Sequence, residues 1–416
     1  GPKWREFPGL ENVETLEQFF KNRGYKTLGA GKIYHSQAPP WTPTSQIEPE
    51  NWDFYYPSKH ISHPYQIRAP KEVIYPKEVN NKSRPGDRDG TGESSWWTWG
   101  PIPVSDEKMA DYHIVDWANY QLELEHEKPF FLAVGTWKPH DPWEVPQKYF
   151  DLYPIDDVVL PVHKKNDLDD AFDHGRRWIH QWVEINKQWK KVIQSYAAAI
   201  SFSDAMIGRL IDKIKKSSYA DNTIIVLWSD HGMHMGEKEN IEKFTLWERS
   251  TRVPLILSFP KVIQPGSRCN QPVSLMDIYP TLVELTGFEK PNHLDGNSLV
   301  PQIKDPNTLT SPVISSYQFS WTNKPYGAHA VRSLNHRYIY YPEIGLEELY
   351  NHQTDPNEWH NVAYKPKNEK IIENHRKVLL EMLPELTWET QTPEGYTIDM
   401  KGNISVQNYL ELSVLK

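Results

Sequence analysis

The sequence predicts an α/β fold: a mixed, mostly parallel sheet flanked by helices, followed by a smaller α+β subdomain. Three observations carry that prediction. Short apolar, β-branched runs such as Thr223-Ile224-Ile225-Val226-Leu227 read as strands buried on both faces of a parallel sheet. Long amphipathic stretches separate those runs, as helices crossing over such a sheet do. Beyond about Pro301 the runs become shorter and more alternating, which sets residues 301–416 apart from a larger domain over 1–300.

The totals bound the answer further. A chain of 416 residues is too long for one small core. A formal charge of −9 and a pI near 6.0 argue against nucleic acid as the main partner. The single Cys269 excludes an intrachain disulfide, and no zinc-finger spacing is present. No apolar run approaches the roughly 18 residues that a membrane span needs. Gly1-Pro2-Lys3-Trp4 is neither a signal peptide nor a start methionine, so the chain is expected to begin after processing or truncation.

Taken in order, Val13 to Arg23 carries Leu16, Phe19 and Phe20 at helical spacing, with Gly24 as the stop. Tyr25 to Ala30 reads as a strand that ends in Gly31-Lys32-Ile33-Tyr34-His35. The full phosphate-loop pattern is absent there, which leaves a lysine and a histidine just past a strand. From Pro39 to about Pro103 no period is sustained. Prolines and aromatics dominate, including Trp96-Trp97-Thr98-Trp99, and Trp97 and Trp99 are candidates to stack on a sugar ring. Asp106 to His126 is a helix and Phe130 to Val134 a strand that leads into Lys138-Pro139-His140. Asp151 to His180 reads as polar surface. Trp189 to Lys216 is the longest amphipathic helix. After the strand at 223–227 come Val253 to Phe259 as a strand, and Ser274 to Thr286 as a helix closed by Gly287. Short strands at 313–316, 327–333 and 337–341 and a helix at 370–383 complete the chain.

Three strand ends thus deliver Lys32 with His35, Lys138 with His140, and Asp230 with His231. Lys243 follows a dozen residues after the last pair. Open α/β sheets bind ligands at the carboxyl ends of their strands. Paired lysines and imidazoles suit a tetrahedral oxyanion, and an Asp beside a His can ligate a divalent cation. His234 is close enough in sequence to line the same pocket.

The motif order resembles the type I sulfatases of the alkaline phosphatase superfamily, in particular the iduronate-2-sulfatase-like branch. It rests on Gly31-Lys32-Ile33-Tyr34-His35, Lys138-Pro139-His140, Ser229-Asp230-His231-Gly232, Lys243, Val253-Pro254-Leu255-Ile256, and Glu348-Leu349-Tyr350 through Asn361. The resemblance implies an alkaline-phosphatase-like sheet and a formylglycine nucleophile working with Ca2+ on a sulfated oligo- or polysaccharide. By matched motif, Asp230 and His231 would join the metal site, and Lys32 and Lys243 would hold sulfate oxygens. His35 would serve as base and His140 as the acid that protonates the departing sugar oxygen, with Lys138 and His234 contacting substrate. The chain departs from the family in two respects: it contains no Cys-x-Pro/Ala-x-Arg, and the paired Asp residues that open the family's metal site are missing. The formylglycine and the first metal-binding Asp pair are therefore expected upstream of residue 1, on a missing N-terminal segment or chain, and this chain alone is expected not to turn over. Two other readings stand beside a sulfatase: a phosphodiesterase or phosphonate hydrolase of the same superfamily, and a non-catalytic homologue that binds sulfated glycans. Cysteine poverty points to a bacterial periplasmic or secreted protein rather than a lysosomal one.

Overall fold

The computed structural model describes residues 5, 9–34, 49–56, 98–175, 177–319, 326–388, 396–399 and 401–406. These divide into two units, one over 1–160 with 187–223, the other over 161–186 with 224–416. The division differs from the split at residue 300 suggested by the change in texture.

In the first unit, α1 (Leu16–Asn22) precedes β1 (Lys26–Gly31). β1 is the centre of a three-stranded parallel sheet, with β2 (Phe54–Tyr56) on one side; β3 (Trp99–Ile102) and α2 (Ala110–Gln121) then precede its other neighbour, β4 (Phe130–Gly135). The register pairs Gly31 with Gly135. Gly31 has φ +76°, and a Cβ on it would collide with the Gly135 carbonyl; one on Gly135 would collide with the Lys32 carbonyl. Two glycines therefore let the strand ends approach, and Lys32 N–H donates to Gly135 O at 2.7 Å. Ala30, Tyr56 and Ile114 pack where the sheet meets α2.

β5 (Trp143–Pro146) pairs in parallel with β3, in a register that sets Trp99 against Trp143. Trp99 is 5% exposed. It is a core residue and not a surface on which a sugar stacks, because its strand is sandwiched into the unit. Beyond the single turn α3 (Gln147–Phe150) and α4 (Arg177–Ile185), the latter part of the second unit, comes α5 (Trp189–Lys216). It covers the predicted 189–216 and packs on α2, where Arg209 lies 3.7 Å over the Tyr112 ring and 3.2 Å from Asp116.

In the second unit α4 is followed by β6 (Ile225–Trp228), the hairpin β7 (His234–Met235) and β8 (Ile241–Glu242), the turn α6 (Glu248–Thr251), and β9 (Leu255–Ser258). β6 pairs antiparallel with β9, and Trp228 and Ile256 are about half exposed. The expectation of a parallel strand buried on both faces is thus corrected: an unbroken apolar run gives hydrophobicity but not the direction of its partner. α7 (Ile278–Leu285) is preceded by a capping box at Ser274 and Asp277, and α8 (Val300–Lys304) follows it.

A four-stranded antiparallel sheet comes next, ordered β10 (Val313–Phe319), β11 (Tyr326–Arg332), β12 (His336–Tyr341) and β13 (Leu346–Asn351). Alternation along β12 sends Tyr338 and Tyr340 to one face and Ile339 and Tyr341 to the other. α9 (Glu369–Met382) covers the first face with Ile372 and Leu379. Leu246, Trp247, Leu168, Ala171 and the hairpin β14 (Tyr396–Ile398) and β15 (Ile404–Val406) cover the second. The stretch 151–180, expected to be polar surface, is thereby corrected in part: its Asp167, Leu168 and Ala171 are buried.

Candidate active site

In the first unit the sheet brings Lys32 to the turn that leaves β4. Lys32 Nζ lies 5.2 Å from the centre of the Trp137 ring, and the same indole packs on His140 at 5.1 Å between ring centres. His140 Nδ1 is 2.8 Å from the Asp141 carbonyl and also 2.8 Å from Asp141 Oδ1. With Nδ1–H donating to Asp141, Nε2 is the ring position left to exchange a proton with a bound group. A lysine, an aromatic wall and an imidazole thus stand together at the carboxyl ends of β1 and β4.

Lys138 behaves differently from the expectation of substrate contact. It is 3% exposed and its ammonium donates to the Pro142 carbonyl. Burial pushes its pKa down, against Glu144, Asp111 and Asp141, which pull it up. Beneath the turn lies Asp111, from the first turn of α2 and 2% exposed. Its Oδ1 accepts from Trp137 N–H at 2.8 Å and its Oδ2 from Lys138 N–H at 2.9 Å. Burial raises its pKa, and these two N–H groups oppose the rise. Sequence reading assigned nothing to Asp111, Trp137 or Asp141. Trp137 and Asp141 flank the Lys-Pro-His motif and so carried a signal, whereas Asp111 is one acid among several on a helix.

In the second unit, Asp230 and His231 stand just past β6, as the sequence implied. His231 Nδ1 donates to the Gly232 carbonyl at 2.8 Å, and Nε2 is 3.7 Å from Asp230 Oδ1. The Asp230 side chain is 65% exposed. A Cβ on Gly232 would collide with the Arg249 carbonyl, so the strand end is pressed against α6, with Gly232 N–H donating to Ser250 O at 2.7 Å. His234 is fully buried: Nδ1 lies 3.1 Å from the Glu237 carbonyl and Nε2 2.9 Å from Thr245 Oγ1. Both nitrogens brace the loop that carries Lys243, which corrects the expectation of a pocket-lining substrate contact. Lys243 Nζ lies 5.7 Å over the Phe244 ring. His35 and Trp97 lie outside the described residues.

Asp230 and His231 offer one carboxylate and one imidazole edge. That fits part of a divalent cation's ligand set, though calcium takes six to eight oxygens. Among the described residues, Glu248, His352 and Glu358 also bring ligand atoms within 4.8 Å of one another. That cluster does not fit a cation. Arg337 donates to both carboxylates and Arg332 donates to Glu248 at 3.2 Å, so its charge is already balanced. Burial raises the Glu358 pKa, but Arg337 and His352 outweigh it and hold the group at about 2.

A parallel sheet with helices packed on it, and polar side chains at the carboxyl ends of its strands, puts the first unit in the class of α/β folds that receive ligands at that edge. More narrowly, this chain belongs to the sulfatase family, whose model matches residues 6–288. The model for the C-terminal part of N-sulphoglucosamine sulphohydrolase matches 236–385. A sulfatase of Formosa agariphila is 34% identical over 95% of this chain and 75% of its own length. Human iduronate 2-sulfatase is 27% identical over 69% of this chain, which spans little more than half, 56%, of that relative. Among solved structures, a protein in complex with its substrate D-glucosamine-2-N,6-O-disulfate aligns with a TM-score of 0.63 at 19% identity, covering 91% of this chain and 83% of its own. A phosphonate monoester hydrolase from Silicibacter pomeroyi aligns at 0.68 and 18% identity, covering 96% and 85%. These last two show a shared alkaline-phosphatase-like fold.

Proposed function

We propose that the protein hydrolyses sulfate esters on a carbohydrate: a sulfated uronic acid or a neighbouring sugar of a glycosaminoglycan or algal polysaccharide. The observation that carries this reading is the Lys32–Trp137–His140 stack, a lysine and an imidazole against one indole, with the imidazole oriented by Asp141. The sugar class is supported by what its relatives are named for and by the disulfated glucosamine bound by one structural neighbour.

Lys32 takes the role of neutralising charge that builds on the sulfate oxygens as the ester bond breaks, and matched motif gives Lys243 the same role. His140 delivers the proton on Nε2 to the departing sugar oxygen, and Asp141 holds the ring in that tautomer. His35, three residues past Lys32, takes the role of base. Lys138, buried on the Pro142 carbonyl, supports the turn from beneath. Asp230 and His231 would hold part of a Ca2+ site, and the ion when bound supplies Lewis-acid polarisation of the ester. A formylglycine would supply the nucleophile; none of these residues replaces it. Trp97 is kept as a stacking contact for the sugar. A polymeric sulfated substrate places the enzyme in the periplasm or outside the cell. Among the described residues no helix is long and apolar enough to cross a membrane.

The test is release of inorganic sulfate from a sulfated disaccharide by the full-length protein, with and without calcium. Sulfate release that stops on chelation supports the reading. Turnover of a phosphonate monoester without any sulfate release would transfer the protein to the hydrolase branch of its phosphonate-cleaving neighbour. Saccharide binding with no turnover, despite a verified formylglycine, would make it a glycan-binding homologue.

A further inference from the structure

Building on the sulfatase reading, we propose that Asp111 is a positioning residue for proton transfer: its carboxylate fixes the turn that aims His140 at the leaving group. The turn at 136–140 has few ladder hydrogen bonds of its own, because it begins where β4 ends. Asp111 supplies what the ladder lacks. Each carboxylate oxygen takes one successive N–H, from Trp137 and from Lys138, in a two-point clamp at 2.8 and 2.9 Å. Ser203, from α5, closes the clamp on the opposite side by donating to the Lys138 carbonyl at 2.9 Å. Trp143 Nε1 donates to the Pro139 carbonyl at 3.0 Å, and His140 N–H returns to the Trp137 carbonyl at 3.0 Å. Every peptide from 137 to 140 is therefore tied to a fixed partner, and the two side chains that matter, Trp137 and His140, leave the same turn.

A carboxylate suits this place because it has two acceptor atoms and no donor. An amide of the same shape would turn an N–H toward one of the two backbone N–H groups and lose that bond. The side chains of the turn would then shift by tenths of an ångström, enough to misalign a general acid. A general acid matters in proportion to how poor the leaving group is. Sugar alkoxides need the proton, whereas 4-nitrophenolate leaves without it.

The experiment compares 4-nitrophenyl sulfate with a sulfated uronic acid–hexosamine disaccharide, using the full-length wild type, Asp111→Asn, Ser203→Ala and His140→Gln. The inference expects Asp111→Asn to lower kcat on the disaccharide about tenfold or more and on the aryl sulfate by less than about twofold, with little change in KM for either. Ser203→Ala, which removes a milder restraint, is expected to show the same selectivity at smaller size, and it keeps the test decisive if Asp111→Asn does not fold. Equal losses on both substrates would mean a merely structural acid and overturn the inference. So would selectivity in His140→Gln that neither clamp variant shares. Absence of leaving-group selectivity in His140→Gln itself would instead remove His140 as the acid, a failure of the underlying reading.

Discussion

The His234 ring is wholly buried, and burial pushes its pKa down to about 4. Glu237 and Glu358 pull the value up, and Arg249 adds to the depression. An unfolded imidazole titrates near 6.5. Between roughly 6.5 and 4 the unfolded chain therefore binds a proton that the folded chain refuses, so the contribution to stability is full above about 6.5 and is lost as pH falls toward 4. Melting curves collected from pH 7.5 to 5 should show a falling midpoint, and the fall should be shallower in His234→Gln. Glu348 titrates with the opposite sense: burial raises it to about 7, so its contribution is lost as pH rises. Comparing variant with wild type isolates the histidine. A variant whose pH dependence matches wild type would show that His234 is not the group that titrates.

At the scale of elements, the strand ends decide where the chemistry stands, and two close approaches set them. Gly135→Ala would drive a methyl group into the Lys32 carbonyl and part β1 from β4. The expected cost is about 1–3 kcal/mol, accompanied by a loss of sulfate release, because Lys32 moves with its backbone. Urea unfolding measures the first and the disaccharide assay the second; an Ala variant as stable and active as wild type would refute the role given to this glycine. The loop between β7 and β8 is held by a second device. Lys238, at φ +53°, is 2% exposed, pairs with Asp167 at 3.2 Å, and lies 4.8 Å over the Tyr350 ring. Lys238→Met should cost about 3–5 kcal/mol by stranding the Asp167 charge, and a double change with Asp167→Leu should recover much of it. A double-mutant cycle with no coupling would show that the pair does not brace the loop. Much of this level was legible in the sequence. The helix at 189–216 and the strands ending at Lys32, Lys138 and Asp230 follow from periodicity and from abrupt polar stops. The antiparallel partner of β6 and the burial of Trp99 do not, because both depend on which strand pairs with which, and that is a long-range choice.

The whole molecule extends that lesson, because its two units are interleaved along the chain. A change of texture near Pro301 suggested a small α+β subdomain that begins there. The sheet from β10 to β13 is instead closed on one face by Leu246, Trp247, Leu168 and Ala171, and Arg337 of β12 is paired with Glu248 and with Glu358. Periodicity reveals an element but not the distant residues that cover it, which is why Asp167 and its neighbours read as surface. Glu348 makes the dependence specific: it accepts from Trp247 Nε1 at 2.7 Å and from Phe172 N–H at 2.8 Å, both before residue 301. A fragment of residues 301–416 would expose one face of the sheet, take Glu248 from Arg337, and take Trp247 and Phe172 from the buried Glu348. That fragment is expected to show no cooperative thermal transition by circular dichroism and to be rapidly degraded by trypsin, while the whole chain resists. A sharp transition in the short fragment would mean that α9 and the sheet form a self-sufficient core and that the interleaving is dispensable for folding.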